Sequence, residues 1–429
     1  ACLRWHMLSG SRAPSGVPGP SEDFNMESKK MNRLLLLTVA ALAAFLITSL
    51  ALASDLDSKA LAAESNRAQD TQFIRHNAAR TVHCDRGESL GRAIKRSRPG
   101  TTLRIRGICH ESVVIDIDDI VLLGEGGAAI DGGSEPSEGV VIVDNASNVS
   151  LRGLTIQNGA DQGLLVTRQS VVALNDVVLR NNGTVGLSVD RSQVDLANVS
   201  LTGNGAGGLD AYTASVVLAT GDIEASNNAG DGIAINGKSF FELRGSKVVA
   251  SDNLGSGVSI INDSRLQIFS FPEAQGSGIT AERNGFAGIA ALGAEIGVVG
   301  SEFFGSGANV LASRNNVIGF FVPAGAILSP HATAQFIAEG NGVGMVFEDG
   351  ARALIIGGLR VSGNGSGISA DGADTLTLIS VPPNPSSVDG NSSDLNFQFG
   401  TRATVDGVQF STISCDATAL VRGSAVCPE

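Results

Sequence analysis

Seven polar side chains in the middle of the chain recur at a spacing that could bring them together: Arg168, Asp190, Arg191, Asp210, Tyr212, Asn236 and Lys238. Arg168 and Arg191 are 23 residues apart, Asp190 and Tyr212 are 22 apart, and Tyr212 and Asn236 are 24 apart. An arginine beside a carboxylate can hold an acidic sugar, and a nearby lysine or tyrosine can act as the base of an elimination. The plainer reading is a solvated row of alternating charges, since such side chains ordinarily sit at the surface. The choice depends on the elements that position these residues.

Those elements repeat. NGTVGLSV at 182–189 returns as NGAGGLDA at 204–211, NGFAGIAA at 284–291, NGVGMVF at 341–347 and NGSGISA at 364–370. The glycine before each apolar residue falls at 163, 186, 208, 232, 257, 288, 319, 344 and 367, in steps of 23, 22, 24, 25, 31, 31, 25 and 23. The two longer steps mark insertions near 264–280 and 300–316. An asparagine precedes each anchor glycine: Asn158, Asn182, Asn204, Asn228, Asn253, Asn284, Asn315 or Asn316, Asn341 and Asn364. Within one repeat, Leu187/Val189, Val194/Leu196 and Val199/Leu201 each alternate with polar residues, the period of a strand with one buried face. Turn residues separate the three pairs, so each repeat is three short strands.

A repeat this short cannot bury its apolar face alone and must stack on its neighbours. Three strands per turn stacked in register make a parallel β-helix. Leucine-rich repeats share the period, but the L-x-x-L-x-L pattern is not sustained, and the nine-residue calcium-roll repeat is absent. A propeller blade is longer. The Asn-Gly pairs are expected to turn the corner in left-handed conformation, and the stacked asparagines to form an amide ladder along the axis. A phosphate loop is excluded by context, because neither Lys-Ser nor Lys-Thr follows and no long helix begins there.

The chain starts at Ala1, and residues 1–30 show no hydrophobic period, as expected of an upstream non-mature segment. Residues 31–53 carry a basic start (Arg33 after Lys29 and Lys30), an apolar middle and an Ala51-Leu52-Ala53 end, the pattern of a secretory signal peptide. An uncleaved anchor is the rival reading, and it would be the chain's only membrane contact. Residues 54–81 read as a polar leader. Net charge is −13 without a basic stretch, which argues against nucleic acid as a partner. Glycine is abundant, at 54 residues, and charged residues make up only 17%. Together they favour a turn-rich all-β protein. Beyond Cys2, four cysteines form two sequence-local pairs. Export permits the disulfides Cys84–Cys109 and Cys415–Cys427. No Cys or His spacing suggests a metal. His76, His83, His110 and His331 are scattered, and His331, beside Pro330, reads as a loop residue.

With these features the sequence resembles the secreted right-handed parallel β-helix proteins of the pectin-lyase-like superfamily, over about residues 82–428. The stretch VHCDRGESLGRAIKRSRPGTTLRIRGICHESVVI at 82–115 looks like that family's opening. It implies a short amphipathic helix, roughly Ser89 to Ser97, covering the open end, with Leu90, Ala93 and Ile94 on one face. The tail at 413–429 looks like the opposite cap. The expected architecture is therefore a right-handed solenoid of about 12–13 coils over 82–412, with disulfide-stapled ends. At ~4.8 Å per coil it would be about 60 Å long.

The superfamily includes pectate and pectin lyases, polygalacturonases, alginate lyases and epimerases, tailspikes and adhesins, and fold does not choose among them. Two residues after each anchor glycine the chain should face outward, at Leu165, Ser188, Asp210, Ala234, Ser259, Ala290, Phe321, Val346 and Ser369. Of these only Asp210 could do acid–base work, and the paired carboxylates of glycoside hydrolysis are not found there. The family's N-T-D, D-D, G-H-G and R-I-K set is not present as a set. Asp118-Asp119 and Arg104-Ile105-Arg106 stand in the first coils, and D-P-H-D is missing. Trp5 and Tyr212 are the sole Trp and Tyr, so large amphipathic aromatics are scarce. One phenylalanine of Phe240/Phe241, Phe303/Phe304 and Phe320/Phe321 should face out in each pair. The catalytic residues stay unknown, with the opening cluster as the candidates. The expectation is an exported or periplasmic cell-surface protein that binds polysaccharide or a surface component. The alternative is a lyase or epimerase acting on uronic-acid polymers. No cofactor is evident, and calcium stays open.

Overall fold

Alternating apolar residues force each repeat to bend twice, because only a closed triangular turn lets all three short strands point their apolar side inward. The structure, a computed structural model, describes residues 79–134, 136–269, 277–299, 309–323, 325–330, 334–373, 375–382 and 384–428. The upstream segment, the apolar run, the leader up to residue 78, His76, His331, Phe303, Phe304 and the centres of both insertions lie outside the described residues.

Thirteen strands, from Val113–Ile115 to Ile413–Cys415, form one all-parallel sheet, here face I. Its register is regular: Leu187 pairs with Leu209, Leu209 with Ile233 and Ile233 with Val258. A second sheet of twenty-four strands supplies the other two sides, faces II and III. Strands such as Gln193–Thr202 run through both of these sides, pairing with Val216–Ala219 in their first half and Ile223–Ser226 in their second. The result is an all-β parallel solenoid of about thirteen turns. One continuous apolar core runs from Val82 to Ala425. The strand Ala79–His83 begins before residue 82 and lengthens the solenoid into the stretch read as leader. At the other end, Ile413–Cys415 and Leu420–Gly423 continue the sheets, so the tail adds a last turn as well as covering one.

The opening helix spans Leu90–Lys95 and buries Leu90, Ala93 and Ile94. Ser89 caps it by accepting from Arg92 N–H, and Glu111 receives the N–H groups of Leu90 and Gly91. These bonds satisfy donors that a helix start leaves orphaned. Cys84–Cys109 and Cys415–Cys427 are both disulfide-bonded.

The asparagine ladder is internal and fully bonded. Asn204 donates from Nδ2 and from its backbone N–H to Oδ1 of Asn228, both at 3.1 Å. Its second Nδ2 hydrogen reaches the carbonyl of Leu179 at 3.3 Å. The same side-chain step recurs from Asn182 through Asn253, Asn284, Asn315, Asn341 and Asn364 to Asn391. Two expectations need correction. Asn158 is not a rung: its exposed side chain donates to half-buried Asp131, and the ladder position of that coil is Gly159, whose N–H meets Asn182 Oδ1. The corner's left-handed residue also sits one place earlier than expected, at Asn158, Asn181, Gly203, Asn227 and Asp252. The ladder asparagines and anchor glycines are outside that conformation. The anchors are glycine because coils touch there: a Cβ on Gly208 would lie 2.5 Å from the carbonyl oxygen of Gly232.

A second ladder occupies the corner after face I. Buried Ser170, Ser192, Ser215, Ser239 and Ser264 stack one coil apart. The backbone N–H of each donates to the next hydroxyl at 3.0–3.3 Å.

Candidate binding face

The anchor glycines face inward: a Cβ on Gly208 would lie 3.0 Å from Asn228 Nδ2 and 3.3 Å from buried Ala225 Cβ. On the outer side of face I, the residue before each anchor and the residue two after it are therefore neighbours. The contacts follow this geometry. Ser259, two after Gly257, is placed to favour the charged form of Asp231, one before Gly232. Further along, Ala287, Ala290, Ile318 and Val346 form a separate apolar cluster against Phe321 and Val343. The expected outward positions do face out, but they are recessed: Leu165, Ser188, Ser259, Ala290 and Val346 are all buried, Ala290 to 1% exposure. The face is a shallow strip, not an open sheet.

Asp210 lies in the polar part of this strip, with Ser188 and Ala234 as its rung neighbours. Burial holds its carboxyl above the ordinary carboxylate range, and the charge of Asp231 adds to the shift. Burial likewise raises Asp231, opposed by a hydrogen bond from Ser256 N–H, at 2.7 Å, and by Ser259. Asp210 accepts no hydrogen bond among the described residues. A carboxylate partner to Asp210 thus exists, although the strand positions alone show none. Its signal was Asp231-Gly232, an acid placed one residue before an anchor.

The remaining candidates gather at the edge of face I and in the turn after it. Asp190, Tyr212 and Asn236 occupy one column. Ser188 Oγ donates to the Tyr212 hydroxyl at 3.5 Å, a weak contact. Arg168, Arg191 and Lys238 sit in the turn in left-handed conformation. Both arginines are engaged: Arg168 Nε is 3.1 Å from Asp144 and Arg191 Nη2 is 3.0 Å from Asp190. Such exposed pairs contribute about 0–1 kcal/mol each, but they neutralise the cations an acidic sugar would need. Asn236 Oδ1 accepts from Asn262 Nδ2 at 2.8 Å. Lys238 is exposed, with no ion pair among the described residues. The cluster is real as a neighbourhood, with its arginines turned to their own carboxylates. Among the described residues, no three His, Cys, Asp or Glu side chains converge to hold a metal.

The apolar part of the strip begins about two rungs on. Phe321 points outward while Phe320 is buried, and Phe241 is likewise buried beside the half-buried Phe240. Phe286 stands beside Phe321 with ring centroids 5.6 Å apart and planes at 86°. Leu254, 72% exposed, and Val317 extend the apolar surface onto the adjoining corner.

No known protein-family profile matches the chain, and no curated protein sequence matches it. Solved structures do. The A-module of a mannuronan C-5 epimerase from Azotobacter vinelandii is 13% identical over 82% of this chain and 89% of its own, with a TM-score of 0.44. A pectate lyase is 13% identical over 68% of this chain and 80% of its own, at 0.40. An alginate lyase from Paenibacillus sp. str. FPU-7 is 14% identical over 80% of this chain and 99% of its own, at 0.30. These are likenesses of fold class, and no residue role is carried over from them.

Proposed function

We propose that this is an exported β-helix protein that binds polysaccharide along the outer side of face I. The observation that supports it is the recessed strip, which joins an unbonded carboxylate at Asp210 to an apolar shelf at Phe286 and Phe321 on one rigid sheet. Binding sites for organic ligands combine apolar walls with a few convergent polar groups in this way. The two disulfides fit an oxidising compartment. Among the described residues no helix is long and apolar enough to cross a membrane.

Binding without turnover is favoured over catalysis because both arginines near Asp210 are paired, with Asp144 and Asp190. Isothermal titration of the mature protein with a panel of soluble polysaccharides tests the reading. A saturable heat with at least one polymer is expected, and a flat response across the panel overturns it.

One observation favours a second reading. A carboxyl held above its ordinary range is suited to proton transfer near neutrality, so a lyase or epimerase acting on uronic-acid polymers would use Asp210. Ultraviolet absorbance from unsaturated ends, with and without calcium, tests the lyase, and proton NMR of the treated polymer tests the epimerase. Absence of both changes removes this reading.

A further inference from the structure

We infer that the polymer taken by face I is uncharged, and that its ring faces rest on the shelf made by Phe286 and Phe321. This rests on the polysaccharide reading above and narrows its chemistry.

The first ground is charge. None of the thirteen strands of face I contains a lysine, arginine or histidine. Their charged residues are all acids: Asp144, Asp190, Asp210, Glu348 and Asp371. Asp231 adds another carboxylate one residue before its anchor. Glu348 is itself held above the ordinary range by burial and by Asp349 and Asp371, so the strip is already self-repelling at its far end. A uronic-acid chain laid along it would bring its carboxylates against the acids at both ends of the strip, where Arg168 and Arg191 are already committed to Asp144 and Asp190 and Lys238 in the adjoining turn is the cluster's remaining cation. Like charges brought to a few ångströms repel, and more strongly where water is partly excluded.

The second ground is shape. Between Ser259 and Glu348 the strip is apolar, with Ala287, Ile318 and Val343 before the anchors and Ala290, Phe321 and Val346 two residues after them. Sugar rings present flat C–H faces, and rigid apolar surfaces bind such faces by removing water from both. Phe286 is 39% exposed at the rim, so the shelf is reachable. Four rungs separate Asp210 from Phe321 along the register. At ~4.8 Å each the two lie about 19 Å apart, a length suited to an oligomer and not to a single sugar.

Native affinity electrophoresis tests this with the mature chain run through gels containing a β-glucan, a galactomannan, pectate or alginate, the last two with and without calcium. Retardation by an uncharged polymer is expected, with affinity at least about tenfold weaker in Phe286→Ser/Phe321→Ser. Thermal melting checks that the double variant is folded. Phe286→Ser alone, at the more exposed ring, repeats the test if it is not. Retardation only by pectate or alginate overturns the uncharged class and leaves polysaccharide binding standing. Retardation by an uncharged polymer that ignores the serine variants overturns the shelf. Retardation by none of the four overturns both.

Discussion

Phe286 and Phe321 meet edge to face on the outside of the solenoid, 35 residues apart in sequence and one coil apart across the pairing of Ala287–Leu292 with Ile318–Val322. Each precedes or follows its own anchor glycine, Gly288 or Gly319, by two residues. The two rings cover the apolar cluster of Ala287, Ala290, Ile318 and Val346, against which Phe321 packs. The glycines themselves face the interior, where a Cβ on Gly288 would meet Ala312 and the ladder amide of Asn315.

The ladder should be costly to break. Asn228→Ala removes the Oδ1 that accepts both N–H and Nδ2 of Asn204. Two buried donors are orphaned, and a loss of about 2–5 kcal/mol is expected in urea denaturation. Asn158→Ala removes an exposed bond to Asp131 and should cost less than about 1 kcal/mol. Equal losses would mean that the amide stack is not what holds the coils together.

Asp210 should make stability fall as pH rises. Its folded pKa is raised, so between the unfolded and folded values the native state holds more protons than the unfolded one, and stability declines through that window. Above the folded value the deficit is complete. Asp210→Asn should therefore melt higher than the parent near neutral pH, with the gap closing below about pH 4. A constant gap across pH would contradict the assignment.

Cys84–Cys109 closes a loop of 25 residues at the opening cap. Cys84→Ser/Cys109→Ser should lower stability by about 3–4 kcal/mol on the chain-entropy view. Hydrogen exchange should speed up first in Leu90–Lys95 and the adjoining coils. Faster exchange confined to the far end would be unexpected.

Ladder membership should also govern chemical ageing. Deamidation of Asn-Gly requires the glycine nitrogen to attack the asparagine side-chain carbonyl, expelling ammonia before water opens the ring. Gly205, Gly285 and Gly365 have that N–H bonded to the coil below, and their asparagines are locked in the stack. At Asn236-Gly237 the glycine N–H has no partner among the described residues. Peptide mapping after mild alkaline incubation should find deamidation at Asn236 well before Asn204, Asn284 or Asn364.

Much of this was legible in the residues. The interval between anchor glycines reports the coil directly, because each glycine meets the next one's backbone. The outward phase of Asp210 and Phe321 then follows from strand alternation. Asn158 was misplaced because it too lies shortly before an anchor, and only the register shows that it stacks on Asn181 instead of Asn182. The serine column escaped notice although Ser170, Ser192, Ser215, Ser239 and Ser264 keep a 22–25 residue step, since serine is common in loops and carries no hydrophobic signal. Asp231 was missed because strand alternation marks only the residue two after each anchor as outward, and Asp231 stands one before Gly232 and acts on Asp210 from the next coil.

The most direct test places a bulky label on either side of the solenoid. Ala234→Cys puts a thiol on the outer strip of face I, and Thr375→Cys puts one on exposed face II. Each is labelled with a large maleimide and titrated with the polysaccharide that the parent binds. The expected result is loss of binding for the label at 234 and parent-like binding for the label at 375. Equal affinity for both, or loss only at 375, would contradict face I as the binding surface.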